Sequence, residues 1–267
     1  MHKELLTNVS FGDLQSCGSV VAFPIITPVI PGALLYITLS EALEKNLLTI
    51  QEISFSGSAP ELKVISSSPI PVLILSGEEV KGARENRILN ASILIEALAS
   101  VIIPVSSTGR GRWRYNAPGL KKPESLSSKN FCLIPGQTGV LFFHEGKVAG
   151  LEIVSRPGAY ARLHGKLVRS YLTDGLETRE TSHDQETLRR EARDFLDTAI
   201  AAEGKVFKSP GLGDDVRLET PVLKGSVLVN ENQAVHACCF RVDPFNPCHP
   251  CSINGTLINT DKTDLNG

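Results

Sequence analysis

Between the apolar runs Val72–Leu75 and Ile88–Ile95 the chain carries Ser76-Gly-Glu-Glu-Val-Lys-Gly-Ala-Arg-Glu-Asn-Arg-Ile-Leu-Asn90. Glu78, Glu79, Lys81, Arg84, Glu85, Asn86, Arg87 and Asn90 fall within thirteen positions. Charge placed between buried strands must either reach solvent or line a polar cavity in which it is paired. Gly77 and Gly82 let the backbone turn or approach a ligand closely. Carboxylate, guanidinium and amide together can bind a polar ligand, hold a divalent ion, or transfer protons. A solvated hairpin of mixed charge fits the same pattern, so charge alone does not make this a site.

Three further segments carry chemistry. In Ser106-Ser-Thr-Gly-Arg-Gly-Arg-Trp-Arg-Tyr115, an extended backbone puts Arg110, Arg112 and Arg114 on one face and Trp113 and Tyr115 on the other. Such a face suits phosphate, carboxylate or a stacked base, and it equally suits a charged edge strand. In Tyr160–Tyr171, Arg162, Lys166 and Arg169 are spaced i, i+4, i+7 and form a basic stripe beside His164. In a chain of net charge −2, that local concentration favours an anionic partner. His164 suits general acid or base work, against the blander reading of a partly buried histidine with its hydrogen bonds satisfied. Finally, Cys238-Cys239 precedes Cys248-His249-Pro-Cys251. Thiols so spaced can grip zinc, but Cys238 and Cys239 are adjacent and a strand points them to opposite faces. A Cys-rich tail is the expectation; no metal-ligand set is assigned and no cofactor is named.

These segments need elements to position them. Val, Ile and Leu runs predict strands at 19–26, Glu61–Ser66, Val72–Leu75, Ile88–Ile95 and Val101–Val105. Pro24 inside the first suggests an edge or a break. Thr38 with Glu41 forms a capping box for a short helix over Ser40–Lys45, ended by Asn46. Residues 116–130 read as a surface loop. Strands follow at Thr138–Phe143 and Lys147–Val154 around a Glu145-Gly146 turn. Two helices come late, at Ala159–Thr173 and Asp184–Ala202. In the second, Leu188, Ala192, Phe195, Leu196, Ala199 and Ile200 share one face. Ser182 with Gln185 caps its start and Gly204 can end it. Strands at Val216–Glu219, Ser226–Asn230 and Ala234–Arg241 complete the pattern, with Glu231-Asn232 turning the last pair. Closely spaced early strands and segregated helices predict an α+β fold: mostly antiparallel sheet, sandwich-like, with two late helices packed on it. Residues 1–243 are expected to form a single domain and 244–267 a loose polar tail.

Composition narrows the classes. The chain has 267 residues and a fifth of them are charged, which excludes a disordered or wholly basic chain. No apolar run approaches the roughly 20 residues needed to span a bilayer, and no signal-peptide core follows Met1. Six cysteines in a chain of this size suit reduced thiols, so a cytoplasmic location without membrane partners is expected. There is no phosphate-binding Gly-rich loop ending in Lys-Ser/Thr, no His-Glu-x-x-His, no Gly-x-Ser-x-Gly and no dinucleotide fingerprint.

Phe11-Gly-Asp-Leu14, Tyr36–Leu43, Gly77–Asn90, Ile103-Pro-Val-Ser106 and Gly111-Arg-Trp113 occur in this order. Through them the chain resembles the ARG and rhodanese-phosphatase-superfamily-associated protein domain, over about Phe11 to Phe240. It departs from that pattern after Tyr115, where a longer, partly helical segment is expected before Gly136-Gln137. The family's association with ADP-ribosylglycohydrolase-type and phosphatase-type proteins implies a role near ADP-ribose or phosphorylated nucleotides. The expected ligand is therefore an anionic, phosphate-bearing small molecule. Arg84, Asn86, Arg87, Asn90, Arg112, Lys166 and Arg169 are expected to bind it, and Glu78, Glu79 and His164 to supply any acid–base chemistry. A non-catalytic interaction or scaffold protein is the alternative, and RNA binding through Arg110–Tyr115 the third reading.

Overall fold

The computed structural model describes residues 3–28, 32–53, 61–81, 86–107, 130–172 and 184–242, with backbone alone at 52, 79–81, 86–87 and 106–107. The strands are β1 Ser10–Phe11, β2 Gln15–Cys17, β3 Val20–Ile26, β4 Ile37–Thr38, β5 Leu48–Ile53, β6 Glu61–Ser66, β7 Val72–Ile74, β8 Glu79–Lys81, β9 Asn86–Leu89, β10 Ile93–Ile95, β11 Ser100–Ser107, β12 Gly139–His144, β13 Lys147–Val154, β14 Gly204–Lys208, β15 Asp214–Glu219, β16 Leu223–Asn230 and β17 Gln233–Arg241. The helices are α1 Leu39–Glu44, α2 Pro157–Leu172 and α3 Gln185–Ala201. The fold is α+β, and among the described residues only β4 and β7 pair in parallel. The expected loop at 116–130, the Ser182 cap and the tail at 244–267 lie outside the described residues, save Asn130.

Among the described residues, nine strands form the main sheet, in the order β1-β3-β12-β13-β17-β16-β15-β14 with β2 also on β3. Side chains alternate across it, so both faces need cover. On one face Phe23, Leu141, Phe143, Leu151, Ile153 and Val227 meet Leu188, Ala192, Phe195, Leu196 and Ala199 of α3. On the other, Ala22, Val140, Phe142 and Phe240 meet Tyr160, Leu163, Leu167, Val168 and Tyr171 of α2. The same cluster takes in Leu73, Leu75 and Leu94 from the small sheet β10-β7-β4. Helix α2 is therefore held between two sheets. The small sheet is docked to the main one where Leu212 N–H donates to the Leu94 carbonyl (2.7 Å). Gly211 lies so close to that carbonyl that a Cβ would overlap it. A five-stranded sheet, β5-β6-β11-β9-β8, shares a third core with α1 and the small sheet.

Local signals explain most boundaries. The Thr38–Glu41 capping box forms in both directions, and Asn46 after α1 takes a positive φ of 53°. Glu145 and Gly146 both have positive φ (50° and 78°), as do Glu231 and Asn232 (48° and 68°), the twist that two-residue hairpins need. Pro24 is not on an edge: β12 pairs on one side, and on the other the gap between β1 and β2 falls opposite it. The break suggested by Pro24 is thus in the neighbouring strand.

Four expectations are corrected. Ile88–Ile95 is not one strand; Asn90–Ser92 interrupts it, and its halves join different sheets. Helix α3 is capped by Asp184, whose carboxylate accepts from Thr187 N–H (2.9 Å), a bond that holds this carboxyl below its ordinary range. Gly204 does not end α3; Ala202 is the C-cap and Gly204 opens β14. Strands β5 and β14 were not expected; each is an edge, with Thr49, Gln51 and Glu52 along β5 and Lys205 and Lys208 along β14.

Tyr36 shows what the inter-sheet space demands. Its hydroxyl meets Ser155 Oγ at 3.0 Å, and burial pushes its pKa from 10.0 up to about 12. The fold needs the protonated phenol, so this contribution is complete below the unfolded-state pKa and is lost as pH rises through the folded one. Two units correspond to roughly 2–3 kcal/mol. Stability measured by denaturant titration should therefore fall between about pH 10 and about pH 12. Tyr36→Phe should flatten part of that fall, with the buried Tyr160 and Cys239, both raised by burial, contributing to what remains.

Candidate functional site

The Gly77–Asn90 segment leaves the small sheet at Leu75 through a turn in which Gly77 takes a φ of 82°. Gly77 N–H donates to Leu89 O (2.7 Å) and Leu89 N–H to Glu78 O (3.1 Å), closing a hairpin that continues as β8 and β9. Its register sets Glu79 opposite Ile88, Val80 opposite Arg87 and Lys81 opposite Asn86. Arg84 lies outside the described residues, as do Arg110, Arg112, Trp113, Arg114 and Tyr115.

The turn drives Glu78 inward, to 1% exposure. Oε2 accepts from Leu75 N–H (2.8 Å), and Oε1 pairs with the ammonium of Lys166 on α2, itself 17% exposed. Two residues 88 positions apart, both expected in the site, are thus in contact. Asn90 is linked to the same turn, its carbonyl accepting from Ser76 Oγ (3.3 Å). Asn90 Nδ2 is buried with no hydrogen-bond partner among the described residues. The other cations of α2 face outward: Arg169 is exposed, and Arg162 reaches Glu41 only at 3.8 Å.

His164 has both ring nitrogens engaged. Nε2–H donates to Phe131 O (2.9 Å), which leaves Nδ1 to accept from the Tyr160 hydroxyl (3.3 Å). Gln137 Nε2 donates to that hydroxyl (3.0 Å) and to Gly139 O (2.8 Å). Burial first, then the charge of Glu152, raises the Tyr160 pKa well above its ordinary value, so the phenol keeps the proton that it gives to His164.

Sequence reasoning missed the polar groups beneath α2. Glu152 on β13 lies opposite Cys238 on β17, and His236 lies opposite Val154. A register shift at Leu228/Val229 leaves Val235 without a partner on β16. His236 Nε2 meets Glu152 Oε2 at 2.8 Å, and Nδ1 meets Ser92 Oγ at 2.9 Å. Ser92 Oγ accepts from Ser76 N–H (2.9 Å), so this buried relay ends one residue before Gly77. Hydroxyl, imidazole and carboxylate stand in the order of nucleophile, base and orienting acid. Ser92 is buried and its oxygen is already engaged, so in this arrangement the relay has no face open to a substrate carbonyl. The overlooked signal was a lone carboxylate in Lys147–Val154 and a lone imidazole in Ala234–Phe240, each amid apolar residues where charge is rare without a partner. Cys238 and Cys239 do face opposite sides, Cys239 with the α3 core and Cys238 with α2; burial pushes the Cys239 thiol well up.

Fold and site together define an antiparallel α+β protein with a buried acid–base network between sheet and helix. The model of the ARG and Rhodanese-Phosphatase-superfamily-associated Protein domain matches residues 8–131 and 121–240, and the chain belongs to that family. Searches of curated proteins and of solved structures found no match. No helix among the described residues is long and apolar enough to cross a membrane.

The Glu78–Lys166 pair makes a sharp expectation. Lys166→Met leaves a carboxylate buried beside the small sheet and should cost about 3 kcal/mol in denaturant unfolding. Adding Glu78→Gln should restore part of the loss, giving a large coupling in the double-mutant cycle.

Proposed function

We propose that this chain binds a phosphate-bearing small molecule, nucleotide- or ADP-ribose-like, where the β8–β9 hairpin meets the basic edge of α2. The supporting observation is the Glu78–Lys166 contact, which brings two of the three cation-rich segments into one neighbourhood. Lys166 is largely neutralised by Glu78, so Arg84, Arg87 and Arg169 carry the attraction for phosphate oxygens, with Asn86 and Asn90 as amide donors. Glu79 is the acid–base candidate if the protein turns its ligand over, because both oxygens of Glu78 are engaged. Arg112 is a further candidate for phosphate contact by its guanidinium chemistry. A single domain over residues 1–243 in the cytoplasm is part of this reading; that α2 shares one core with both the main and the small sheet favours the single domain.

The same pair favours one alternative: a non-catalytic interaction protein in which Gly77–Asn90 is structural. A carboxylate 1% exposed and doubly engaged behaves as a tie between hairpin and helix. Ligand stabilisation separates the two. A ligand at about 100 Kd adds about 2.7 kcal/mol to the folded state. In a thermal-shift screen of nucleotides, ADP-ribose and sugar phosphates, at least one compound should raise Tm, and Arg87→Ala should diminish the shift. An undiminished shift would place the ligand elsewhere, and no shift with any phosphate compound would leave the structural alternative. RNA binding through Arg110–Tyr115 instead predicts oligonucleotide affinity that falls steeply with salt.

A further inference from the structure

Glu152, His236 and Cys238 offer a carboxylate oxygen, a ring nitrogen and a sulfur that all lie within 4.8 Å of one another, and all three residues are buried. We propose that they bind a zinc-class divalent cation. Tetrahedral zinc, with Zn–S about 2.3 Å and Zn–N about 2.0–2.1 Å, needs ligand atoms about 3.3–3.6 Å apart. Side-chain rotation closes that difference, because Glu152 and Cys238 are cross-strand partners and His236 lies two residues before Cys238. The strand ladder thus holds the three Cα positions before any ion arrives.

Charge supports the assignment. A thiolate, a carboxylate and a neutral imidazole around a divalent ion sum to zero, the balance that a buried position requires. Binding displaces the Cys238 thiol proton to solvent, and the proton that His236 Nε2 gives to Glu152 shifts to Nδ1, which frees the Nε2 lone pair for the metal. The Nδ1 proton is then donated to Ser92 Oγ, already 2.9 Å away. Orientation of a ligating histidine through its second nitrogen is a usual feature of metal sites. Ser226 Oγ lies 3.4 Å from Cys238 Sγ and can donate to the thiolate. A mixed sulfur, nitrogen and oxygen set selects zinc and its neighbours over magnesium or calcium. Three protein ligands leave the fourth position to one enclosed water.

The site does not rest on the phosphate reading, and its test uses no nucleotide. The full chain is stripped with a chelator and titrated with Co2+ alone. The expected result is one equivalent bound, with the intense visible bands of tetrahedral cobalt and a near-ultraviolet thiolate charge-transfer band. Cys238→Ser should abolish the charge-transfer band. Cys239→Ser, on the opposite face, and the Cys248→Ser/Cys251→Ser double variant should retain it. Ser92→Ala, which touches no ligand atom bound to the ion, should weaken affinity by about 10–100-fold and serves if Cys238→Ser does not fold. Absence of a tetrahedral spectrum, or a charge-transfer band lost in the tail variant but kept in Cys238→Ser, would overturn the assignment.

Discussion

Polar groups beneath α2 have no water to turn to, and that condition organises this half of the molecule. The helix lies between the main sheet and the small one, yet Glu78, Glu152, Tyr160, Gln137, Ser92 and His236 all sit in the layers it covers. Leaving one such group unpaired costs about 1–3 kcal/mol, and more for a charge. Each is therefore tied to a partner on a different element. Glu78 is tied to α2 and His236 to both β13 and the β9–β10 turn, while Tyr160 bridges Gln137 and His164. These bonds fix how the two sheets and the helix are set against one another, which apolar packing alone, being non-directional, does not do.

Elements encoded over a few residues were legible. Thr38 and Glu41 form their box, Glu145-Gly146 turns β12 into β13, and Lys147–Val154 begins and ends where its apolar pattern does. What failed involved choices that local patterns leave open. The run Ile88–Ile95 has the same composition whether its strand continues or changes sheets, and the change is set by Ser92 reaching His236 across the molecule. Ser182 and Asp184 both suit a helix start, and it is Asp184 that accepts from Thr187. Edge strands such as Leu48–Ile53 carry Thr49, Gln51 and Glu52, so the apolar run that announces an interior strand is absent.

The candidate site was legible in half. Glu78 and Lys166 could each be picked out from charge pattern, but that they touch is a tertiary fact. His164 was read as an acid–base candidate or as a satisfied histidine, and it is bonded at both ring nitrogens. The Glu152–His236 pair was invisible to a search for clustered charge because each member is solitary in sequence. Only the pairing of β13 with β17 brings them together.

The ends of the main sheet bear on what the molecule does among its own copies. At one end β1 and β2 are short and interrupted opposite Pro24, so that border offers no continuous row of free amides and carbonyls. At the other, β14 presents exposed Lys205 and Lys208, and Lys208 is engaged by Asp214. A short, broken or lysine-bearing border is a poor template for another chain's strand. Growth of this sheet by addition of a tenth strand is disfavoured from both directions.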